Sequence, residues 1–256
     1  MQEIKTQKHD AIVLSSASEK DAQKLFTQLL KNAPMPDDEL LPNLGLYLSS
    51  KSFARLLFFY EMYKKIVESH GVIVECGVRW GQNLSILSAL RGSLEPYNRH
   101  RKIIGFDTFA GFKGFDEGKD GNLCKNKDGS FSVSPNYEDY LSQILSIQEA
   151  LNPMSHLKRF ELVKGDATET IPAYLKAHPE TIVSLAIFDF DIYKPTKVAL
   201  EALKPHLQKG SILVFDELCD DIFPGETVAL QEVFGINNCR IKRYPMAARV
   251  SYMEIE

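Results

Sequence analysis

Four carboxylates fall at the ends of two apolar runs in the stretch 181–218. Asp189 and Asp191, one residue apart, follow the run 183–188; Asp216 and Glu217 follow the run 212–215. Between them lies a helical pattern with Pro195 in its first turn, an apolar stripe at Leu200, Leu203 and Leu207, and Pro205 to end it. A strand–helix–strand unit makes its strands parallel neighbours, so both acidic tips reach one edge of the sheet. Carboxylates held close together repel, and either some keep their protons or a cation sits among them. Oxygen-only ligation points to a hard divalent ion such as Mg2+; no His or Cys spacing suits zinc. The competing reading is a set of polar strand ends spread apart by loop geometry.

A second constellation lies upstream. The apolar strand Val72–Cys76 runs into Glu75-Cys76-Gly77-Val78-Arg79-Trp80-Gly81 and then a helix from Gln82. A glycine directly after a buried strand permits a tight turn and close approach of a ligand, and the helix presents free N–H groups. The spacing is E-x-G-x-x-x-G, not the dinucleotide fingerprint G-x-G-x-x-G. The next strand, 101–106, ends in Asp107, placed one βαβ unit later to accept hydrogen bonds from ribose hydroxyls. Thr108 and Phe109 continue the turn. A third strand, 160–163, leads into Lys164-Gly165-Asp166-Ala167 and a short helix capped by Thr168.

These residues need elements to hold them. Strands near 72, 102, 160, 183, 211, 240 and 249, with helices between the first five, make a doubly wound, mostly parallel α/β sheet. Its last two strands form an antiparallel hairpin at one edge. Residues 1–70 read as a loose arm and a helical cap: a first helix capped by Ser18 with Asp21, a proline-rich loop at 33–50, and an aromatic helix from about Ser52 to Ser69. Residues 71–256 form the core. It is interrupted at about 108–136 by a polar, glycine-rich insertion read as a flap, because Asp116, Asp120 and Asp128 lack EF-hand spacing.

Composition narrows the classes. At 256 residues and 44% hydrophobic content the chain can build a sizeable core. A net charge of −4 does not supply the basic face that nucleic acid requires. No apolar run approaches a membrane span, and the polar N-terminus lacks a signal core, so the expected location is cytoplasmic. Cys76, Cys124, Cys219 and Cys239 are widely spaced and read as reduced thiols.

Four pieces, VECGVRWGQNLSIL, GFDTFAGF, KGDATETIP and FDFDIYKPTKVALEALKPHLQKGSILVFDEL, resemble in order and spacing the macrocin O-methyltransferase (tylosin-pathway) family of class I S-adenosylmethionine-dependent methyltransferases. The resemblance covers roughly 71–235. It implies that Glu75, Gly77 and Gly81 face the methionine part of the cofactor and that Asp107 binds the ribose. Thr108 and Phe109 join the cofactor set, Asp166 and Ala167 border the adenine, and Asp189 touches both cofactor and ion. It implies Asp189, Asp216 and Glu217 as ligands of Mg2+ or another divalent cation, and Asp191 as catalytic base. Two departures stand out: the family often has Asp-Asp at 216–217, and some members place a His just after that pair, where this chain has Leu218.

The expected activity is therefore metal-assisted O-methylation of a sugar, sugar nucleotide or glycan hydroxyl, by a protein that could assemble with its own copies. Its alternatives are a phenolic, catechol or phosphate-type acceptor, a nicotinamide-dependent oxidoreductase on a similar sheet, and a non-catalytic nucleotide-fold protein.

Overall fold

The computed structural model describes residues 16–121, 127–247 and 249–256. Most of the expected N-terminal arm, Cys124 and the middle of the flap fall outside the described residues. In chain order the elements are α1 (Ala17–Lys31), α2 (Asp37–Leu40), α3 (Ser50–Ile66), β1 (Val72–Cys76), α4 (Gln82–Leu94), β2 (Ile103–Asp107), α5 (Tyr137–Leu151), β3 (Phe160–Lys164), α6 (Ala167–Ala177), β4 (Val183–Phe188), α7 (Tyr193–Leu203), β5 (Leu207–Phe215), α8 (Gly225–Phe234), β6 (Lys242–Arg243) and β7 (Ser251–Glu254). As expected of Pro205, α7 stops at Leu203 and passes into a 3-10 turn, Lys204–His206.

The seven strands lie in the order β3-β2-β1-β4-β5-β7-β6. Neighbours from β3 to β5 are parallel; β7 runs antiparallel to both β5 and β6. The doubly wound sheet with a terminal antiparallel pair is thus the observed architecture. The chain leaves β1 in one direction for β2 and β3, and returns beside β1 for β4 and β5. The order reverses between β1 and β4, and a ligand crevice is expected at their carboxyl ends.

Helices cover both faces. The buried ends of α3, α4 and α5 pack with Ile73, Ile103, Leu185, Ile187, Ile212 and Val214 on one face. Helices α6, α7 and α8 pack with Val74, Cys76, Ala186, Phe188, Leu213 and Phe215 on the other. The two-residue period of a strand carries the first set forward. Glu75, Asp107, Asp189 and Asp216 fall in step with Ile73, Ile103, Ile187 and Val214, on the side of α3 and α4. In the paired register Cys76 lies beside Phe188 and Phe188 beside Phe215. Asp189 and Asp216 are therefore the first residues beyond the last paired row of adjacent strands.

Arg101 ties this layer together. It is fully buried and donates to Glu95 (2.8 and 3.0 Å), to the Ile66 and Ser69 carbonyls at the end of α3 (both 2.7 Å), to the Gly71 carbonyl (2.6 Å) and to Ser184 (2.5 Å) on β4. The end of α3 is thereby fixed to the sheet. At the chain's start the helix cap differs from the expected Ser18. The capping box uses Ser16 and Glu19, because the S-x-x-E pattern that satisfies two N–H groups begins two residues earlier. The proline-rich loop contains α2 and a 3-10 turn, Leu44–Tyr47. Cys76, Cys219 and Cys239 are free thiols, and no described helix is long and apolar enough to cross a membrane.

Candidate active site

A cleft of about 310 Å3 opens at the carboxyl ends of β1, β2, β4 and β5. Gly77, Asp107, Thr108, Asp166, Ala167, Asp189, Asp191 and Asp216 all line it. Gly77 holds a left-handed φ of +94°, and a Cβ there would lie 2.1 Å from the Asp189 carbonyl oxygen. Only glycine fits this close approach of the β1 turn to the end of β4. Asp107 fixes the other side of the turn. Its Oδ2 accepts the N–H groups of Val78 and Arg79 (both 2.7 Å), and its Oδ1 accepts that of Phe109 (2.5 Å). Asp166 caps α6 through Thr168 (2.9 Å) and pairs with Lys113 (3.0 Å).

Other expected residues stand behind the wall. Glu75 is 1% exposed beneath the floor, with Oε1 accepting from Asn83 Nδ2 (2.8 Å) and Oε2 without a partner. Gly81 starts α4 with φ +74° and packs against Leu141. Phe109 is buried at 6% exposure. Glu217 accepts from Arg249 at Oε1 (2.9 Å), and its Oε2 has no partner.

The rim is conformationally strained. Arg79, Phe109, Asp191 and Cys219 all have positive φ (49°, 53°, 62° and 59°), one after each of β1, β2, β4 and β5. Non-glycine residues in this region persist only where the surroundings over-determine them, as happens at functional sites.

The electrostatics are those of a site short of positive charge. Burial, then the charge of Asp216, pushes the Asp189 carboxyl up to about 7. Burial, then Asp189 and Asp216, holds Asp191 well above the usual carboxylate range. Glu217 is pushed up to about 9 by burial and by Asp191 and Asp216. Glu226 on α8, fully buried with Oε1 unpartnered, is raised by burial and then by Asp191, Asp189 and Asp216. Among the described residues one cation reaches the pair directly. Arg55 on α3 lies 3.4 Å from Asp189 and 3.5 Å from Asp216, and its Nε donates to Asn83 Oδ1 (2.9 Å).

Charge and donor chemistry fit a hard divalent cation: oxygen donors only, raised carboxyls and three orphaned carboxylate oxygens on Glu75, Glu217 and Glu226. The side chains are not gathered around one, however. Among the described residues no group of three or more His, Cys, Asp or Glu side chains is arranged to hold a metal ion. Arg55 occupies the position of counter-charge instead.

Arg55, Asn83, Glu226 and Arg249 are missing from the sequence reading. Arg55 sat in an aromatic helix read as a cap, Glu226 in an ordinary helical first turn, and Arg249 in the terminal hairpin; no local spacing marks any of them. The flap acids do not form a cation loop. Asp120, 1% exposed, accepts the N–H groups of Tyr193 (2.5 Å) and Asp116 (2.7 Å), and Asp128 accepts that of Phe115 (2.9 Å), so they shape the insertion and tie it to α7.

A family described as a methyltransferase domain matches residues 74–218. A crystal structure of CalS11, described as a calicheamicin methyltransferase, is 39% identical, with 97% of each chain covered and a TM-score of 0.91. An apo structure of CalS11, described as a TDP-rhamnose 3'-O-methyltransferase of calicheamicin biosynthesis, is 37% identical over 94% of this chain and 96% of that one, with a TM-score of 0.84. The O-methyltransferase NovP shares the fold at 16% identity, 79% coverage of each chain and a TM-score of 0.59. No curated protein sequence matches the chain. The nicotinamide and non-catalytic readings fall away. The chain belongs to the class I S-adenosylmethionine-dependent methyltransferases and is an O-methyltransferase.

Proposed function

We propose that the enzyme methylates a hydroxyl of a sugar carried on a nucleotide or glycan, with a divalent cation in the acid cluster. The observation that carries this reading is the placement of Asp189 and Asp216 side by side at the edge of the glycine turn, in a chain 37% identical to a TDP-rhamnose 3'-O-methyltransferase. In this reading Gly77 admits the methionine end of the cofactor and Asp107 meets the ribose hydroxyls. Asp166 and Ala167 border the adenine, while Glu75 and Gly81 support the turn from behind.

Methyl transfer from a sulfonium is an in-line displacement, so positioning dominates the rate. Asp189 and Asp216, joined by Glu217, would hold the cation. When bound, it would acidify the acceptor hydroxyl, as metals acidify bound water. Asp191 takes the proton. Burial, then the charges of Asp189 and Asp216, raise its affinity for protons, which makes its ionised form a stronger base than an exposed aspartate. Its left-handed backbone fixes its direction into the cleft.

The test is methyl transfer from labelled S-adenosylmethionine to a panel of TDP-sugars, UDP-sugars, free sugars and catechols, with and without EDTA. The expected result is transfer to a sugar nucleotide that EDTA abolishes and Mg2+ restores. Transfer to catechol alone overturns the acceptor; full EDTA resistance overturns the cation.

A further inference from the structure

We propose that Asp120, a flap residue outside the lining of the cleft, is a positioning residue for Asp191, given the assignment of Asp191 as base. The turn that carries Asp191 needs support from elsewhere in the chain. Asp191 holds a left-handed φ of +62°, and a non-glycine residue stays there only where its neighbours fix it. Two residues later α7 begins without a cap of its own, because Ile192, at its N-cap, has no side-chain oxygen to offer the first free N–H groups.

Asp120 supplies that cap from 73 residues upstream. Its Oδ1 accepts the Tyr193 N–H (2.5 Å), its Oδ2 accepts that of Asp116 (2.7 Å), and its own N–H donates to the Asp116 carbonyl (2.7 Å). The residue is buried, and both carboxylate oxygens are engaged. Its negative charge stands at the positive end of α7, where the helix dipole favours it. The fit is equally close on the side of α8. A Cβ on Gly225 would lie 2.3 Å from Asp120 Oδ1, 2.5 Å from the Tyr193 nitrogen and 3.0 Å from the Ile192 carbonyl carbon. Gly225 opens α8 with a helical backbone, so space rather than conformation demands glycine there.

The turn 189–193 is therefore held at both ends. Gly77 lets the β1 turn press on the Asp189 carbonyl, and Asp120 holds the Tyr193 N–H, with strained Asp191 between them. Releasing the Tyr193 end removes one of the two contacts that fix the direction of Asp191 into the cleft. A second set of contacts joins the flap to α7 and α8 without touching this turn. On the surface Glu232 accepts from Lys119 (2.6 Å), Lys197 (2.7 Å) and the Tyr193 hydroxyl (2.6 Å). These side-chain tips attach the flap but leave the Tyr193 N–H alone, so they separate attachment of the flap from positioning of the turn.

The test compares Asp120→Ala, Asp120→Asn, Gly225→Ala and Glu232→Gln with the native enzyme. It reads S-adenosylhomocysteine affinity by calorimetry, amide hydrogen exchange by mass spectrometry, and turnover on the TDP-sugar that the native enzyme methylates fastest. In Asp120→Ala, exchange over 189–196 is expected to quicken at least about 10-fold while the strands at 183–188 and 212–215 keep their native rates. Its kcat is expected to fall about 100-fold, with KM for S-adenosylmethionine and the affinity for S-adenosylhomocysteine within about 3-fold of native. Gly225→Ala reaches the same bond from α8 and is expected to reproduce both effects, without adding to them in the double variant; it carries the test should Asp120→Ala not fold. Asp120→Asn keeps an oxygen for the Tyr193 N–H and is expected within about 5-fold of native kcat, and Glu232→Gln at the native rate. Native kcat in folded Asp120→Ala, no rescue by asparagine, or faster exchange spread evenly over the strands overturns the proposal. If the native enzyme methylates no TDP-sugar, the acceptor assignment falls by itself, and exchange over 189–196 alone then upholds or overturns the positioning.

Discussion

Arg55→Gln is the sharpest probe of the acid cluster. The guanidinium stands 3.4 Å from Asp189 and 3.5 Å from Asp216, longer than the 2.7–2.9 Å of a strong charge-assisted bond, and all three side chains are partly open to solvent. A unit-charge pair at about 4 Å gains about 4 kcal/mol at an effective dielectric of 20. Solvent screening in an open cleft reduces the net to about 1–2 kcal/mol for the arrangement. A divalent ion entering between the two aspartates must displace that contact. Removing it should tighten cation binding by the same amount, about 5- to 30-fold. The metal-free variant should also lose about 1–2 kcal/mol of stability, which is about 2–8 °C in Tm for a chain of this size. Titration calorimetry with Mg2+ and Mn2+, and thermal unfolding with and without the ion, read both quantities. If Arg55→Gln binds the ion no more tightly than the native enzyme while folded, Arg55 is not the counter-charge that a cation replaces, and the argument fails.

Gly77→Ala forces a Cβ to 2.1 Å from the Asp189 carbonyl oxygen at a left-handed φ. The two strand ends must part by about 1 Å, and S-adenosylhomocysteine affinity by calorimetry should fall at least about 100-fold; native affinity in a folded variant refutes the close approach. Arg101→Met leaves Glu95 buried without its counter-charge and frees the end of α3, costing about 3–5 kcal/mol. Thermal unfolding should show a drop of about 10 °C, and a drop under 3 °C would refute it. Burial alone would raise the Glu95 carboxyl, but hydrogen bonds from Arg101, Tyr63 and Asn98 outweigh it and hold Glu95 below 4.5. A depressed folded-state value contributes stability above 4.5 that is lost as pH falls through the folded value, so urea midpoints between pH 6 and 3 should decline less steeply in Glu95→Gln. Asp191→Asn removes a half-buried, repelled carboxylate while keeping a residue tolerant of positive φ. It should gain about 1 kcal/mol in metal-free urea unfolding and lose methyl transfer; native activity would refute its role as base.

Much of the fold was legible because its strands are buried on both faces. The runs at 72–76, 183–188 and 212–215 are apolar and short, and turns and helical patterns separate them. The parallel pairing of β4 with β5 followed from the strand–helix–strand unit that joins them, while the point of reversal between β1 and β4 is set by tertiary packing. The helix caps were less legible: Ser16 and Ser18 offer the same side chain, and only the partner three residues later decides between them. The N-terminal segment was read as a cap, yet among the described residues its first half buries no side chain. A single sequence does not say whether an amphipathic stripe turns inward or toward another molecule.

The site divides along the same physical line. Parity carries one half of it: a residue two positions beyond Ile73, Ile187 or Val214 must lie on the face that those residues bury, so Glu75, Asp189 and Asp216 converge by strand geometry alone. The other half balances their charge, and it comes from afar. Arg55 lies on a helix before the sheet begins and Arg249 at its last strand. Strand pleating dictates where the acids gather, but nothing local dictates which distant cation answers them. Arg55, which also lies over the Phe59 ring at 5.7 Å, and Arg249 reach the acids through side chains alone, so a ligand that brings its own charge competes with them for the carboxylates. The backbone of four strands sets where the acids stand. The cleft is thus a negative frame built by strand geometry whose counter-charges come from distant elements, an arrangement suited to a cationic sulfonium cofactor.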